Sequence, residues 1–276
     1  MSCSPSVTIR PLSGALGAEV YGMDISHPLQ STEVAILRQA FFDYGVIFLR
    51  GQNLSSQQLI QFAKLWGSIN VNRFFPHVGD CPQIAEVKKT PQQENNIGGI
   101  WHTDHSYDVI PALGSVLYAR TVPKWGGDTL FANPAKAFDG LSSGMQGFLE
   151  GMFAVHSSRH VFGVQDSDQR FGNQSAATQD AKHPVVIRHP DTNRKTLYVN
   201  PQFTLRFDGW TQEESQPILN YLYQHIVKPE FTCRFRWREG SVAVWDNRAT
   251  WHCALNDYPG EMRCMHRITI DGVSLH

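Results

Sequence analysis

Two histidines and an aspartate lie within four residues in the segment WHTDH, residues 101–105. Imidazole nitrogens and carboxylate oxygens bind transition metals, but the same side chains also occur in polar surface loops. In an extended segment the side chains alternate between two faces, so His102 and Asp104 share one face and His105 takes the other. The segment therefore offers a metal one histidine and one carboxylate, and any further ligand must come from elsewhere in the chain.

His252 is the distant histidine whose surroundings suit that role. The run SVAVWD at 241–246 has the pattern of a buried strand, and a turn at 258–260 reverses the chain after His252. A second strand-like run then carries Arg263 and Arg267 on one face, and we expect the two runs to form a hairpin-like unit. Two arginines on the inward face of an apolar strand would be costly unless anions met them.

These residue types together predict a metal site with bound anions. Two histidines and one carboxylate form the facial triad that binds Fe(II) and leaves coordination positions open. One arginine can pair with the distal carboxylate of 2-oxoglutarate, and the other can hold an anionic substrate. A zinc hydrolase and a non-catalytic binding module with a vestigial site are the alternative interpretations.

Composition and charge limit the classes of function. The chain has 276 residues, of which 41% are hydrophobic and 18% charged, and its formal net charge is −1. It has no basic stripe for nucleic acid or an anionic membrane, no apolar run long enough for a transmembrane helix and no signal-peptide pattern. Five scattered cysteines without a CxxC pair argue against a disulfide framework. We expect one cytoplasmic domain, residues 1–276, with no nucleic-acid or membrane partner.

The order of elements predicts a mainly β protein with peripheral helices. The first 70 residues mix α and β, with helices beginning near Ser31 and near Ser55. Short strand-like runs separated by turns then dominate, interrupted by helical stretches at about 135–150 and from Thr211. Many short strands with turn signals indicate a sandwich, barrel or jelly roll.

Several polar positions have a structural interpretation. By strand alternation we expect His105 to face away from the metal and His266 to lie opposite the arginines. Tyr107 shares the outer face of His105 if the strand continues that far. His189 precedes a proline turn, and we expect it to be solvated. The polar, aperiodic stretch 164–182 has a length typical of an active-site lid, a binding loop or disorder.

Six motifs occur in order along nearly the whole chain: GAEVYGMDIS, GVIFLRGQNLSSQQLIQFAKLWG, WHTDHSY, GGDTLFAN, LYVNPQFTLRF and WDNRATWHCALNDYPGEMRCMHRITIDG. With them the chain resembles the taurine dioxygenase and 2,4-dichlorophenoxyacetate dioxygenase (TauD/TfdA) family. The resemblance implies a double-stranded β-helix, or jelly roll, of the clavaminate synthase-like type. It also implies Fe(II) as cofactor, 2-oxoglutarate and O2 as cosubstrates, and hydroxylation coupled to release of succinate and CO2.

The resemblance also implies roles for the polar residues of the site. His102, Asp104 and His252 match the family's iron ligands. Thr129, in GGDT, and Arg263 match the residues that hold a carboxylate of 2-oxoglutarate.

The substrate residues match the family less completely. Arg267 matches the arginine that contacts the acidic group of the substrate, and Phe203 matches a phenylalanine of the substrate pocket. Asn72 stands where taurine dioxygenase has a substrate-contacting histidine, and Phe75 replaces a nearby tyrosine. We therefore expect a larger sulfonate, an aryloxyalkanoate or another carboxylate as substrate. Amino-acid or natural-product tailoring is the alternative, and the family suggests a homodimer or homotetramer.

Overall fold

The computed structural model describes residues 7–162 and 179–275. In these ranges the chain is mainly β, as predicted. The strands are β1 (Thr8–Pro11), β2 (Ala18–Tyr21), β3 (Val46–Leu49), β4 (Ile69–Asn70), β5 (His77–Val78), β6 (Cys81–Lys89), β7 (Gly114–Thr121), β8 (Thr129–Ala132), β9 (Phe153–Ser157), β10 (Asp180–Pro184), β11 (Val186–Arg188), β12 (Lys195–Leu197), β13 (Thr204–Phe207), β14 (Thr232–Phe235), β15 (Val242–Asp246), β16 (Trp251–Ala254) and β17 (Arg263–Ile270). The helices are α1 (Ser31–Tyr44), α2 (Ser56–Lys64), α3 (Pro134–Asp139), α4 (Ser143–Leu149), α5 (Arg159–Phe162) and α6 (Gln212–Ile226).

Two sheets enclose the part of the core that carries the predicted ligands. The large sheet has the strand order β1-β2-β3-β15-β7-β17-β6-β5, with β4 beside β17, and the small sheet has the order β14-β8-β16. Phe48 of the large sheet stacks on Phe235 of the small sheet with ring centroids 3.8 Å apart. Phe131 and Trp245 are buried beside them in the same cluster. Aromatic burial of this kind holds the two sheets together and fixes their spacing.

The expected hairpin-like unit, with the run 241–246 and His252 on one arm and the two arginines on the other, is wrong, because β15 pairs with β3 and β7. β16 pairs with β8, where His252 lies opposite Phe131. β17 pairs with β6 and β7 in the other sheet. The link 255–262 is long enough to cross from one sheet to the other, a distance of about 10 Å between packed sheets. His252 and Arg263 therefore approach the same interior space from opposite sheets.

The helices lie outside the two sheets, and their ends follow the sequence signals. The capping box at Thr211 is present, and Ser55 caps α2. The helix expected at 135–150 is two short helices, because Asn133 caps α3 and Ser142 starts a separate α4. In the described ranges no helix has the length and apolar character needed to cross a membrane.

Two further segments differ from the sequence expectations. β6 is a nine-residue strand that the sequence patterns did not indicate. The predicted lid at 164–182 falls mostly on residues 163–178, which lie outside the described residues. Its last residues belong to β10.

Candidate metal centre and adjoining cavities

An isolated antiparallel bridge brings two of the predicted ligands together. The His102 N–H donates to the His252 carbonyl at 3.0 Å, and the His252 N–H donates to the His102 carbonyl at 2.8 Å. The Ala254 N–H also donates to the Gly98 carbonyl at 2.8 Å, so the segment before His102 runs beside β16. Because residues paired in this way lie side by side, the two imidazole rings are 4.1 Å apart.

The third predicted ligand joins them although the chain does not stay extended. A turn begins at Asp104, yet its Oδ1 lies 3.5 Å from His102 Nε2 and 3.6 Å from His252 Nε2. All three side chains are buried, and one donor atom from each lies within 4.8 Å of the others. Such separations between donor atoms suit a single transition-metal ion bound among them.

Neighbouring groups orient two of the three ligands, His102 and Asp104. The Nδ1 of His102 lies 2.7 Å from the Ile100 carbonyl, which can only accept, so Nδ1 carries the hydrogen and Nε2 keeps its lone pair. The Oδ2 of Asp104 accepts a hydrogen bond from Ser115 Oγ at 3.0 Å and forms an ion pair with Arg267 Nη2 at 2.7 Å. Oδ1 of the same carboxylate therefore remains for a metal. The sequence reasoning did not identify Ser115, because its contact depends on the position of β7 beside the turn.

The protonation states also suit metal binding. Burial and the nearby His102 keep the pKa of His252 well below its ordinary value, so this imidazole is neutral. Burial alone would raise the pKa of Asp104, but the charge of Arg267 and the nearby histidines hold it well below its ordinary range. Metal ligands must be neutral imidazole and ionised carboxylate. Two histidines and one carboxylate in this arrangement fit Fe(II) with positions left open for other ligands.

A cavity beside the metal centre, here called the inner cavity, is lined by a cation that has an unsatisfied donor. Thr129, His252, Arg263 and Arg267 line it. Arg263 is 6% exposed and its Nε donates to the Gly127 carbonyl at 3.2 Å, while its buried Nη2 has no hydrogen-bond partner among the described residues. Burial lowers the pKa of this guanidinium. A buried guanidinium without a carboxylate partner is costly, so the cavity is suited to an anion such as a carboxylate of 2-oxoglutarate.

A second, larger cavity, here called the outer cavity, also borders the ligands His102 and Asp104. Its walls include the four residues expected from the sequence to meet substrate: Asn72, Phe75, Phe203 and Arg267. Phe203 packs edge-on against the ring of His102, with centroids 6.1 Å apart. The Oδ1 of Asn72 accepts from the backbone N–H groups of Phe74 and Phe75, so this side chain also shapes the wall.

The expected outward orientation of His105 and Tyr107 is wrong, since both line this larger cavity. His105 has φ of +58°, and this left-handed residue breaks the strand alternation on which the expectation depended. Its Nδ1 lies 2.9 Å from Asp108 Oδ2, and Arg73 Nη2 donates to Asp108 Oδ1 at 2.7 Å.

The expected solvation of His189 is also wrong. Its side chain is buried, and its Nε2 bonds to Asp246 Oδ2 at 2.9 Å. Arg248 pairs with the same carboxylate, with Nη2 at 2.7 Å from Oδ2. This buried network braces the turn between β15 and His252. Thr103 adds a further connection, because its hydroxyl donates to the Asn247 carbonyl in that turn.

Comparisons with known proteins agree with this arrangement. The family model "Taurine catabolism dioxygenase TauD, TfdA family" matches residues 8–269. An alkylsulfatase from Acinetobacter baylyi is 34% identical, over 96% of this chain and 84% of its own length. An alpha-ketoglutarate-dependent 2,4-dichlorophenoxyacetate dioxygenase from Cupriavidus pinatubonensis is 32% identical, over 90% of this chain and 91% of its own. The crystal structure of a taurine dioxygenase from Burkholderia xenovorans is 34% identical, with a TM-score of 0.83 over 97% of this chain and 92% of that one.

The fold and the donor set define a jelly-roll dioxygenase dependent on non-haem iron and 2-oxoglutarate. The chain belongs to the TauD/TfdA family. The family, the fold and the Fe(II), 2-oxoglutarate and O2 requirement expected from the motifs are therefore confirmed.

Proposed function

We propose that this chain hydroxylates a small anionic organic substrate and releases succinate and CO2. One observation carries the proposal: two arginines from one face of β17 flank the three-ligand centre. Arg263 faces the inner cavity without an anionic partner among the described residues, and Arg267 reaches the outer cavity. An anionic cosubstrate would pair with Arg263, and an anionic substrate would use the donors of Arg267 that its ion pair with Asp104 leaves open.

The residues of the chain would divide the work of binding. His102, Asp104 and His252 would hold Fe(II), which with bound 2-oxoglutarate and O2 supplies the oxidising chemistry. Arg263 and Thr129 would hold a carboxylate of the cosubstrate. Thr129 Oγ1 accepts from Trp237 Nε1 at 2.9 Å, so its hydroxyl hydrogen is free to be directed at a carboxylate.

The outer cavity favours an anion with an apolar body. Arg267 would take the acidic group, while Phe75 and Phe203 provide apolar walls that exclude water from the reacting carbon. Asn72 is a neutral residue and adds no positive charge. A sulfonate, a sulfate ester, an aryloxyalkanoate or another carboxylate would meet these requirements. The names of the alkylsulfatase and the 2,4-dichlorophenoxyacetate dioxygenase relatives are consistent with this class.

An anaerobic titration tests the proposal. Fe(II) and 2-oxoglutarate are added first, and the weak visible absorption band of their complex is followed. Candidate sulfonates, sulfate esters, aryloxyalkanoates and neutral analogues of equal size are then added one at a time, and succinate is measured after oxygen is admitted. A band that shifts with anions, together with anion-dependent succinate, supports the proposal. Turnover of neutral compounds alone would exclude an anionic substrate.

Two variants separate the roles of the arginines in that experiment. Arg263→Met should lose the band because 2-oxoglutarate no longer binds. Arg267→Met should still form the band with 2-oxoglutarate, although at a higher Fe(II) concentration because Asp104 loses its ion-pair partner, and the band should no longer respond to anions. The reverse result would mean that the two roles are exchanged. A single domain, a cytoplasmic location and a homodimer or homotetramer remain part of the proposal, and size-exclusion chromatography with light scattering tests the last.

A further inference from the structure

His105 is a buried histidine of the outer cavity with one ring nitrogen already engaged. We propose that its other nitrogen, Nε2, accepts a hydrogen bond from the substrate, which therefore carries a hydroxyl, ammonium or N–H group in addition to its acid. This inference rests on the proposed function, in which Arg267 pairs with the acidic group. It narrows the substrate from simple anions to anions that also contain a hydrogen-bond donor.

The contacts of His105 fix its tautomer. Asp108 Oδ2 lies 2.9 Å from His105 Nδ1, and Arg73 Nη2 donates to the other oxygen at 2.7 Å. Although burial alone would raise the pKa of Asp108, hydrogen bonds from His105 and Arg73 hold it below its ordinary value. An ionised carboxylate only accepts hydrogen bonds, so Nδ1 must carry a hydrogen. Nε2 is the ring nitrogen that has no hydrogen bond among the described residues, and we propose that the ring is neutral, so that Nε2 is an acceptor.

The ring is held firmly in this orientation. Its residue has φ of +58°, a conformation that few residues other than glycine, asparagine, aspartate and histidine adopt readily. The Asp108 N–H donates to the His105 carbonyl at 3.0 Å, and the Tyr107 ring stacks on the imidazole with centroids 5.5 Å apart. His183 Nε2 lies 3.0 Å from the Asp108 carbonyl and holds the same turn. An unusual backbone conformation stabilised from several sides is typical of a ligand-binding position.

A second acceptor on the same cavity wall supports the inference independently. The side-chain Oε1 of Gln202 is buried and has no hydrogen-bond partner among the described residues. The backbone carbonyl of Gln202 lies 2.6 Å from His160 Nε2, which holds this residue in place. Buried acceptors without partners are uncommon in folded proteins. Gln202 lines the same cavity as His105, so a donor group of the substrate could also provide its amide oxygen with a partner.

Paired substrates and two variants test the inference. The probes are n-alkanesulfonates with and without a terminal hydroxyl or amino group, and phenoxyacetates with and without a ring hydroxyl or amino group. His105→Asn keeps a side chain that tolerates positive φ and can still donate to Asp108, but it has no atom at the position of Nε2. Asp108→Asn would turn its carbonyl oxygen to Arg73 and its NH2 to His105 Nδ1. That change moves the ring hydrogen to Nε2 and converts the acceptor into a donor.

We expect the wild-type enzyme to prefer the donor-bearing member of a pair by about tenfold in kcat/KM, the effect of one net hydrogen bond. His105→Asn should abolish this preference, and Asp108→Asn should reverse it in favour of matched ethers and ketones. An equal loss for both members of each pair in His105→Asn, or an unchanged preference in Asp108→Asn, would overturn the inference.

The proposed function can fail separately from this inference. If no anion of either kind produces succinate or shifts the band of the Fe(II)–2-oxoglutarate complex in the wild-type enzyme, the anionic substrate class itself is wrong. If anions are turned over but donor groups give no advantage, only the role of His105 is wrong. His105→Asn should leave the unshifted band intact in either case, because Nε2 of His105 is not a metal ligand.

Discussion

Replacing Arg263 with methionine should stabilise the protein without ligands and remove its affinity for 2-oxoglutarate. Arg263 Nη2 is a buried donor without a partner among the described residues, which costs about 2–3 kcal/mol for a charged group. Its Nε bond to the Gly127 carbonyl, worth about 1 kcal/mol, would be lost. Methionine fills a similar length with apolar atoms, so the free energy of unfolding should rise by about 1–2 kcal/mol. In a chain of this size that corresponds to an increase in Tm of about 2–4 °C.

Thermal unfolding with and without ligand measures both effects. With metal present and 2-oxoglutarate at about 100 times the wild-type Kd, the free energy of unfolding of the wild-type protein should rise by about 2.7 kcal/mol. The variant should gain almost none of this, because loss of a buried charge-pair partner weakens binding by about 2–5 kcal/mol. Arg267→Met is the matched control on the same face of β17. It should destabilise the ligand-free protein, because Arg267 has Asp104 as a partner.

Two results would refute the reasoning about Arg263. A ligand-free Arg263→Met protein that is clearly less stable than wild type would mean that the guanidinium is already compensated. A variant that keeps the full stabilisation by 2-oxoglutarate would mean that the cosubstrate binds elsewhere.

Four further predictions concern the ligands and their supports. Asp104→Ala should abolish succinate formation, because it removes the anionic metal ligand; full activity would exclude the triad. Arg267→Ala should raise the KM of the substrate far more than the Kd of 2-oxoglutarate, measured at saturating metal. Ser115→Ala should weaken metal binding by about tenfold or more, measured by metal titration, because outer hydrogen bonds orient a ligand. Burial alone would raise the pKa of Asp246, but Arg248 and His189 hold it at about 2, below the ordinary 3.8. The ionised carboxylate of Asp246 therefore adds about 2 kcal/mol to the free energy of unfolding above pH 4, and this contribution is lost as the pH falls toward 2. The free energy of unfolding of Asp246→Asn, measured against pH, should lack this dependence.

The sequence predicts the ligand set because each ligand lies in a short motif with few conformational choices. His102 and Asp104 are two residues apart, and His252 follows a strand whose buried pattern is clear. The sequence does not predict how these pieces meet. The antiparallel bridge between His102 and His252 forms across 150 positions of chain, and no local pattern specifies it.

The errors have local physical causes. A single left-handed residue, His105, redirects the chain, so alternation places it and Tyr107 on the wrong side. The hairpin expectation failed because the link after β16 crosses between sheets instead of closing a turn. His189 is buried because its Nε2 bonds to Asp246. This partner lies 57 positions away in sequence, so the residues next to His189 do not reveal it. Expectations based on neighbouring residues hold until a long-range contact or an unusual φ intervenes.

Arg267 connects the substrate cavity to the metal ligands more directly than a simple substrate-binding residue would. Its Nη2 forms an ion pair with Asp104 Oδ2 at 2.7 Å and donates a hydrogen bond to Ser115 Oγ at 3.2 Å, while its buried Nε has no hydrogen-bond partner among the described residues. A guanidinium has five N–H donors, so it can hold Asp104 with one nitrogen and an anionic substrate with the others. Lysine has a single nitrogen and cannot make both contacts in the same planar geometry. Arg267→Lys should therefore weaken substrate binding and alter the Fe(II) complex together. A loss of substrate affinity with an unchanged metal affinity would show that the contact to Asp104 has no part in holding the ligand.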